Sequence, residues 1–318
     1  MSEIKKVIVI GATGEIGRSI IAALLSHGFT VTILTRSASS TSVFPPATLA
    51  QLKIIAAEYT PETFRSAFTG QDAIVSAISI GGISAQIQMI DAAADVGVQR
   101  FMLSEFGNAP EDVQGRLDVP SLKAAREMKV KVLNHAKMRV DESKGKFEWS
   151  AVAVGSIIDW AIIKFPGAMG FDIPNRTARL YDDGTEPFTG TRIADIGLAV
   201  AGSLANPSKT ANRFLRLRSV QTTQLELLHA FNDATQVKWA NEFVSSNDVL
   251  KNSEEAMRLG EAGKAVQGFV AVQTFQKGAH RSVVATKEEA DNGIVGLEEV
   301  DAVEIVRGVL KALGESEI

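Results

Sequence analysis

Residues 7–20, VIVIGATGEIGRSI, decide how the chain is read. Val7 to Ile10 is an unbroken apolar, β-branched run, the composition of a strand buried on both faces. It ends at Gly11, and glycines recur at Gly14 and Gly17 before apolar residues return at helical spacing. In a GxxGxxG turn between strand and helix each glycine has a use. The first allows a sharp turn, the second lets backbone N–H groups approach a diphosphate at the helix N-terminus, and the third lets helix and strand pack closely. A tight strand-to-helix turn of no further meaning also yields this triplet. Its place after a buried strand, with a second strand following, is what gives it weight.

Working outward, short apolar runs recur at Lys6–Ile10, Thr30–Thr35, Ile54–Ala57, Ala73–Ile78, Arg100–Leu103 and Phe147–Val154, with helical patterns between them. Gly28 stops the first helix, Thr60-Pro61-Glu62 starts another and Gly70 closes it, while Ser84–Val96 and Leu122–Val140 carry helical apolar spacing. The Ser/Thr/Pro stretch Ser37–Thr48 reads as a loop. This alternation predicts an α/β fold: a Rossmann-type doubly wound parallel sheet over residues 1–155. Beyond Gly155 the regularity fades into Gly, Pro and Asp loops with helices at Ile193–Leu204, Thr223–Asp233 and Glu299–Leu313. Residues 156–318 are therefore expected to form a smaller, irregular C-terminal substrate domain, some segments of which return to the first.

Composition removes several function classes. The 318 residues are 45% hydrophobic and 22% charged, as in an ordinary soluble globular protein. A formal charge of -4 leaves no excess of Lys and Arg to displace counterions from phosphates, so no nucleic-acid partner is expected. There is no Cys, and the four His lie far apart in sequence, so neither thiolate chemistry nor a metal centre is expected. Met1–Lys6 is too short and polar for a signal peptide, and no apolar stretch approaches about eighteen residues. The expectation is a cytoplasmic monomer or homodimer with no membrane partner.

The end of the second strand discriminates between coenzymes. An NAD site carries an acid there, about twenty residues past the turn, for the ribose 2′-hydroxyl. This chain has Thr35-Arg36-Ser37 instead. A guanidinium pairs with a 2′-phosphate that a carboxylate would repel, which points to NADPH/NADP. The other reading of Arg36 is a solvated surface charge.

For proton transfer, dehydrogenases built on this turn commonly use a Tyr four residues ahead of a Lys. Only Tyr59 and Tyr181 exist here, and four residues beyond them stand Thr63 and Thr185. A Lys without its Tyr is available: Lys129 lies on the long helix after the fifth strand, with Ala125 in the Tyr place. Beside an apolar substrate its ammonium would be a proton donor or acceptor. Alternatively Lys123, Lys129, Lys131 and Lys137 are a basic helix face in water.

Four segments carry a resemblance: GATGEIG (11–17), SAISIGGISAQIQMIDAAADVGVQRFMLSEFGN (76–108), KVKVLNHA (129–136) and RIADIGLAVAGSLANP (192–207). They resemble the isoflavone reductase-like branch of the NmrA-like atypical short-chain dehydrogenases, fungal members in particular, over most of the first 210 residues. The resemblance implies a catalytic Lys at Lys129, with Val132 completing K-x-x-[IV], and an NADPH turn at Gly11, Thr13, Gly14, Glu15, Ile16 and Gly17. It implies a phosphate-binding Arg at Arg36, a strand segment passing the coenzyme at Ser76, Ala77 and Ile78, and residues near nicotinamide and ribose at Gln86 and Phe106. Two features depart from the plant enzymes: Leu133-Asn134 stands where they have two basic residues, and GSIIDWAIIKFPGAMGF (155–171) replaces their substrate loop.

That segment, with Trp160, Phe165, Met169 and Phe171, would line a flat apolar cavity for an aromatic or polycyclic molecule, together with Ile80 and Gly81; an ordinary core or lid contact is the other reading. Asp159 would orient a substrate hydroxyl or cap its turn. Two functions follow. One is an NADPH-dependent reductase of an aromatic ketone, enone or quinone-methide-like molecule, a reaction suited to secondary metabolism. The other is a non-catalytic NADP-sensing regulator of the NmrA type.

Overall fold

Apolar runs that cannot face water on either side must stack beside one another, and in the computed structural model, which describes residues 3–112 and 116–314, they do. The first half runs β1 (Lys6–Ile10), α1 (Glu15–Ser26), β2 (Thr30–Thr35), α2 (Pro46–Leu49), β3 (Leu52–Ala56), α3 (Pro61–Phe68), β4 (Ala73–Ser76), α4 (Gln86–Asp95), β5 (Arg100–Met102), α5 (Pro120–Glu142) and β6 (Glu148–Ala153). The chain continues through β7 (Ser156–Ile157), α6 (Ile158–Lys164), α7 (Pro166–Met169), β8 (Phe171–Asp172), β9 (Thr177–Tyr181), β10 (Phe188–Thr191), α8 (Ile193–Ala205), α9 (Pro207–Thr210) and β11 (Arg213–Arg216). It ends with β12 (Val220–Thr222), α10 (Gln224–Thr235), β13 (Ala240–Val244), α11 (Ser246–Arg258), α12 (Ala262–Phe275), α13 (Asn292–Val295) and α14 (Ala302–Ala312).

A seven-stranded sheet has the order β11-β6-β5-β4-β1-β2-β3, and every pairing in it is parallel. The order reverses between β1 and β4, and in such sheets the crevice at the carboxyl ends of those strands is where ligands bind. Alternate residues of the strands feed two cores. Val7, Val9, Val31 and Val75 pack with Ile20 and Leu24 of α1 and Val200 and Leu204 of α8. Ile8, Ile10, Leu34 and Ile74 pack with Phe64 and Phe68 of α3, Met89 of α4 and Leu133 of α5. Each such side chain stabilises the fold by about 1.5–3 kcal/mol through its burial. Burial on both faces is also why β1 shows no polar alternation.

Segments of the second half complete this unit. β11 supplies the seventh strand, and α8 lies along α1 so closely that a Cβ at Gly197 would overlap the carbonyl of Ser19, whose hydroxyl donates to Ile193 O at 2.6 Å. Arg100, fully buried at the start of β5, reaches Glu148 at 2.6 Å, Ser150 at 2.7 Å and the carbonyl of Pro207 at 2.8 Å, tying α9 to the sheet. Two three-stranded sheets, β12-β10-β7 and β13-β9-β8, accompany a separate core around Phe171, Tyr181, Phe231 and Phe275.

The stretch Ser37–Thr48 is more ordered than a loop. Residues 38–43 form a 3-10 helix, with Ser40 donating to Ser37 O and Thr41 to Ala38 O, each at 2.7 Å, and Pro46 opens α2 with its φ already set. Ser and Thr side chains close short turns on their own backbone, which composition alone does not separate from an open loop. The helix-start reading at Thr60 is reproduced: its hydroxyl accepts from Thr63 N at 3.2 Å.

Candidate active site

The glycine turn forms one wall of a cleft of about 780 Å³ at the β1/β4 switch point. Gly11 has φ +81°, and a Cβ there would overlap Ala77 O; a Cβ at Gly17 would overlap Gly11 O. Those two glycines let α1, β1 and the end of β4 meet. Gly14 differs: its nearest neighbour to a built Cβ is Gly11 O at 3.5 Å, so the missing side chain leaves space on the cleft side. Gly14 is also the N-cap of α1, and no side chain caps the helix. Among the described residues the first helix amide with a carbonyl partner is Arg18 N, at 2.8 Å from Gly14 O. Uncapped amides and the positive end of the helix dipole therefore face the cleft, the arrangement that receives a diphosphate.

At the far end of β2, exposed Arg36 lies in the same cleft wall with no carboxylate partner among the described residues. Its guanidinium sits 5.7 Å from the ring centroid of Tyr59, whose hydroxyl donates to Leu34 O at 3.2 Å. Burial pushes the Tyr59 phenol up, against the opposing effect of Arg36, so it is neutral near pH 7 and offers Arg36 an aromatic face. An unpaired guanidinium, an aromatic ring and a bare helix N-terminus in one crevice fit the diphosphate and 2′-phosphate of NADP.

The sequence-derived residues divide by position. Gly11, Thr13, Gly14, Glu15, Ile16, Gly17, Arg36, Ala77, Ile78, Gly81 and Trp160 line the cleft. Ser76 is buried beneath it. Gln86, fully buried, accepts from Ser104 N at 2.8 Å through Oε1 and so pins α4 to the segment after β5 instead of facing the cleft. Phe106 has φ +29° and packs with Ile16 between two cores. Ile80 is 53% exposed and outside the cleft wall.

The 155–171 segment contributes only in part. Trp160 reaches the cleft, and Phe165 stacks behind it with ring centroids 6.3 Å apart. Met169 is buried in the core of the second half. Asp159 accepts from Trp160 N at 2.8 Å and Ile193 N at 3.0 Å, so its carboxylate takes up an amide of the first turn of α6 and fastens the start of α8. Burial raises its pKa, and the two backbone donors oppose that rise.

Lys129 lines a separate cavity of about 190 Å³, with Asn108, Pro110, Arg116, Leu122, Ala125, Arg126 and Gln273. Its ammonium donates to Glu105 O at 2.7 Å and lies 3.0 Å from Glu105 Oε2. The Glu105 side chain is 1% exposed, and burial raises its pKa while Lys129 draws it back. Two residues of chain join this place to the cleft: Ser104, next to Glu105, donates through Oγ to the carbonyl of cleft-lining Ile78 at 2.8 Å.

Tyr59, Met89, Ile157 and Ile193 of the cleft, and Glu105, Arg116 and Arg126 around Lys129, were not singled out from the sequence. Glu105 sits inside the SEFG stretch, but nothing local marks its carboxylate as buried. Among the described residues no His, Asp and Glu cluster could hold a metal ion, and no helix is long and apolar enough to cross a membrane.

Comparison with known proteins agrees with this geometry. Residues 3–138 match the model of the NmrA-like family. Oxidoreductase poxI of Penicillium oxalicum is 37% identical over 94% of this chain and 92% of its own length. Oxidoreductase aprR of Aspergillus flavus is 34% identical over 80% and 82%. The solved structure of AtPrR2 with NADP+ and (+)pinoresinol superposes with a TM-score of 0.78 at 19% identity, covering 97% of this chain and 100% of that one. The turn, the sheet order and relatives above a third identical across most of the chain lead to one conclusion: this protein belongs to the NmrA-like family.

Proposed function

We propose that the protein is an NADPH-dependent oxidoreductase that reduces a small aromatic molecule, with the electrophilic carbon of a ketone, enone or quinone methide as hydride acceptor. The observation that carries this reading is the convergence on one cleft of an uncapped α1 N-terminus, the open space at Gly14 and an Arg36 with no carboxylate partner among the described residues. The oxidoreductase names of the fungal relatives, and NADP+ in the AtPrR2 structure, support it.

Bound NADPH supplies the hydride and with it both reducing electrons. The chain's own residues do the rest. The uncapped amides of α1 and the Arg36 guanidinium hold the phosphates and so fix the register of the coenzyme. Trp160, Ile157 and Ile193 offer an apolar wall against which an aromatic ring excludes water. Lys129 holds a proton at Nζ, oriented by Glu105, for the oxygen that gains negative charge as the carbon is reduced.

Titration of NADPH and NADH into wild type and Arg36→Glu, followed by NADPH consumption with a panel of aromatic ketones and enones, tests this. Wild type is expected to favour NADPH at least tenfold and to consume it with one member of the panel, and the variant to lose the preference. Equal coenzyme affinities in both proteins would remove Arg36 from the account. Tight NADP binding with no turnover on any substrate would instead favour a regulator that senses the coenzyme.

A further inference from the structure

Three cations, Arg116, Arg126 and Lys129, line the 190 Å³ cavity, and among the described residues no carboxylate is in its wall. The nearby acids are otherwise engaged. Glu105 lies against Lys129, Asp112 is held by both terminal nitrogens of Arg216 at 2.7 Å, and Asp118 pairs with Lys123 at 3.7 Å. Neither Arg116 nor Arg126 has a salt bridge among the described residues. Arg116 spends its Nε on Asp112 O and one Nη2 hydrogen on Ala109 O at 2.5 Å, and Arg126 makes only a 3.4 Å contact to Leu117 O, so most of their N–H donors are unused. Burial and then the neighbouring Arg126 disfavour the charged form of Arg116, while Asp112 and Glu105 favour it.

A neutral group adds an independent observation. Gln273 of α12 accepts from Leu117 N at 2.7 Å through Oε1, which fixes the amide, and its Nε2, shielded from solvent, has no hydrogen-bond partner among the described residues. A buried donor without an acceptor is uncommon in a folded protein and asks for one. The cavity thus presents guanidinium, ammonium and amide donors, with the buried Glu105 carboxylate held against Lys129 outside its wall. Its volume suits a terminal group and is below that of sites that take a whole ligand, about 300–1,000 Å³.

Resting on the reading of the cleft as a reductase site, we propose that this cavity is an anion subsite for a carboxylate borne by the aromatic substrate, held by Arg116, Arg126 and Gln273 beside Lys129. A planar carboxylate matches the fork of an Arg. The Ile78–Ser104–Glu105–Lys129 path of bonds links the wall of the subsite to the wall of the dinucleotide cleft.

The test is calorimetric titration of the intact protein, first with NADP+ and then, in the NADP+ complex and in the free protein, with cinnamate and with its uncharged methyl ester. Cinnamate is expected to bind at least tenfold more tightly than methyl cinnamate. Arg126→Met, which keeps the apolar stem, should abolish the difference, Arg126→Lys should restore part of it, and NADP+ affinity should be unchanged in both. Equal affinity for acid and ester in wild type, or an unchanged preference in a folded Arg126→Met, overturns the subsite. Displacement of cinnamate by inorganic phosphate at similar concentration overturns the substrate assignment, since it marks an unselective anion hole. Failure of NADP+ to bind overturns the reductase reading alone, because the cinnamate preference is still read in the free protein.

Discussion

Two glycines three residues apart should respond in opposite ways to the same methyl group. At Gly17 a Cβ would overlap Gly11 O and the backbone of Ala12, atoms that cannot swing aside. Gly17→Ala therefore overpacks the α1–β1 contact, which costs about 1–3 kcal/mol. At about 2–4 °C per kcal/mol for a chain near this size, Tm should fall by roughly 2–12 °C. At Gly14 the backbone is at φ -74° and ψ 167°, open to any residue, and the added Cβ meets only Gly11 O at an ordinary 3.5 Å. The fold should lose under about 1 kcal/mol, from the weaker N-cap preference of Ala. The methyl group would instead occupy the space through which a diphosphate approaches the α1 amides, so NADPH should bind at least tenfold more weakly, about 1.4 kcal/mol. Thermal melts paired with fluorescence titration of NADPH separate the two effects. A Gly14→Ala protein that melts as low as Gly17→Ala, or binds NADPH like wild type, refutes the assignment of Gly14 to the coenzyme and Gly17 to packing.

Two further outcomes follow from buried charge. Arg100→Met leaves Glu148 buried without its cation and should cost about 3–5 kcal/mol in urea unfolding, whereas the double variant Arg100→Met with Glu148→Met should recover most of that loss; a double variant no better than the single one would refute the pairing. Glu105 has a folded-state pKa raised above the ordinary 4.5 by burial, so folding takes up a proton: its stability contribution is most favourable below 4.5 and is lost as pH rises toward the folded value. Melting temperatures of Glu105→Gln should therefore gain on those of wild type as pH rises across that interval, and a gap independent of pH would show that Glu105 ionises as it does in the unfolded chain.

How much of this was legible depended on whether the deciding contact was local. β1 to β6 could be read because a strand covered on both faces is a continuous apolar run, and the glycine turn and Arg36 could be read because their partners lie within one βαβ unit. β11, Arg-Phe-Leu-Arg, joins the sheet at its edge, where polar residues are tolerated, and its sequence carries no such run. α12 was missed for a similar reason. Gly263 and Gly268 weaken the helical pattern of its sequence, yet a Cβ at Gly268 would overlap Ser253 Oγ, so the second glycine lets α11 pack against α12. Met169 and Phe165 were read as cavity lining from their aromatic and sulfur character, a character that a core position selects equally well.

The charge balance shows the same limit at the site. A net charge of -4 argues against a long polyanionic partner, because such a partner senses the field of a whole face. It says nothing about a single small cavity. Arg116 and Arg126 come from opposite ends of one loop-to-helix junction, Gln273 from a helix some 150 residues later, and Asp112, four residues before Arg116, is drawn away by Arg216. Each pairing is unremarkable on its own, and only their joint geometry leaves two guanidiniums and a buried amide facing one cavity. Local surplus charge of this kind is a property of which acids are already spoken for, and that follows from the fold and not from composition.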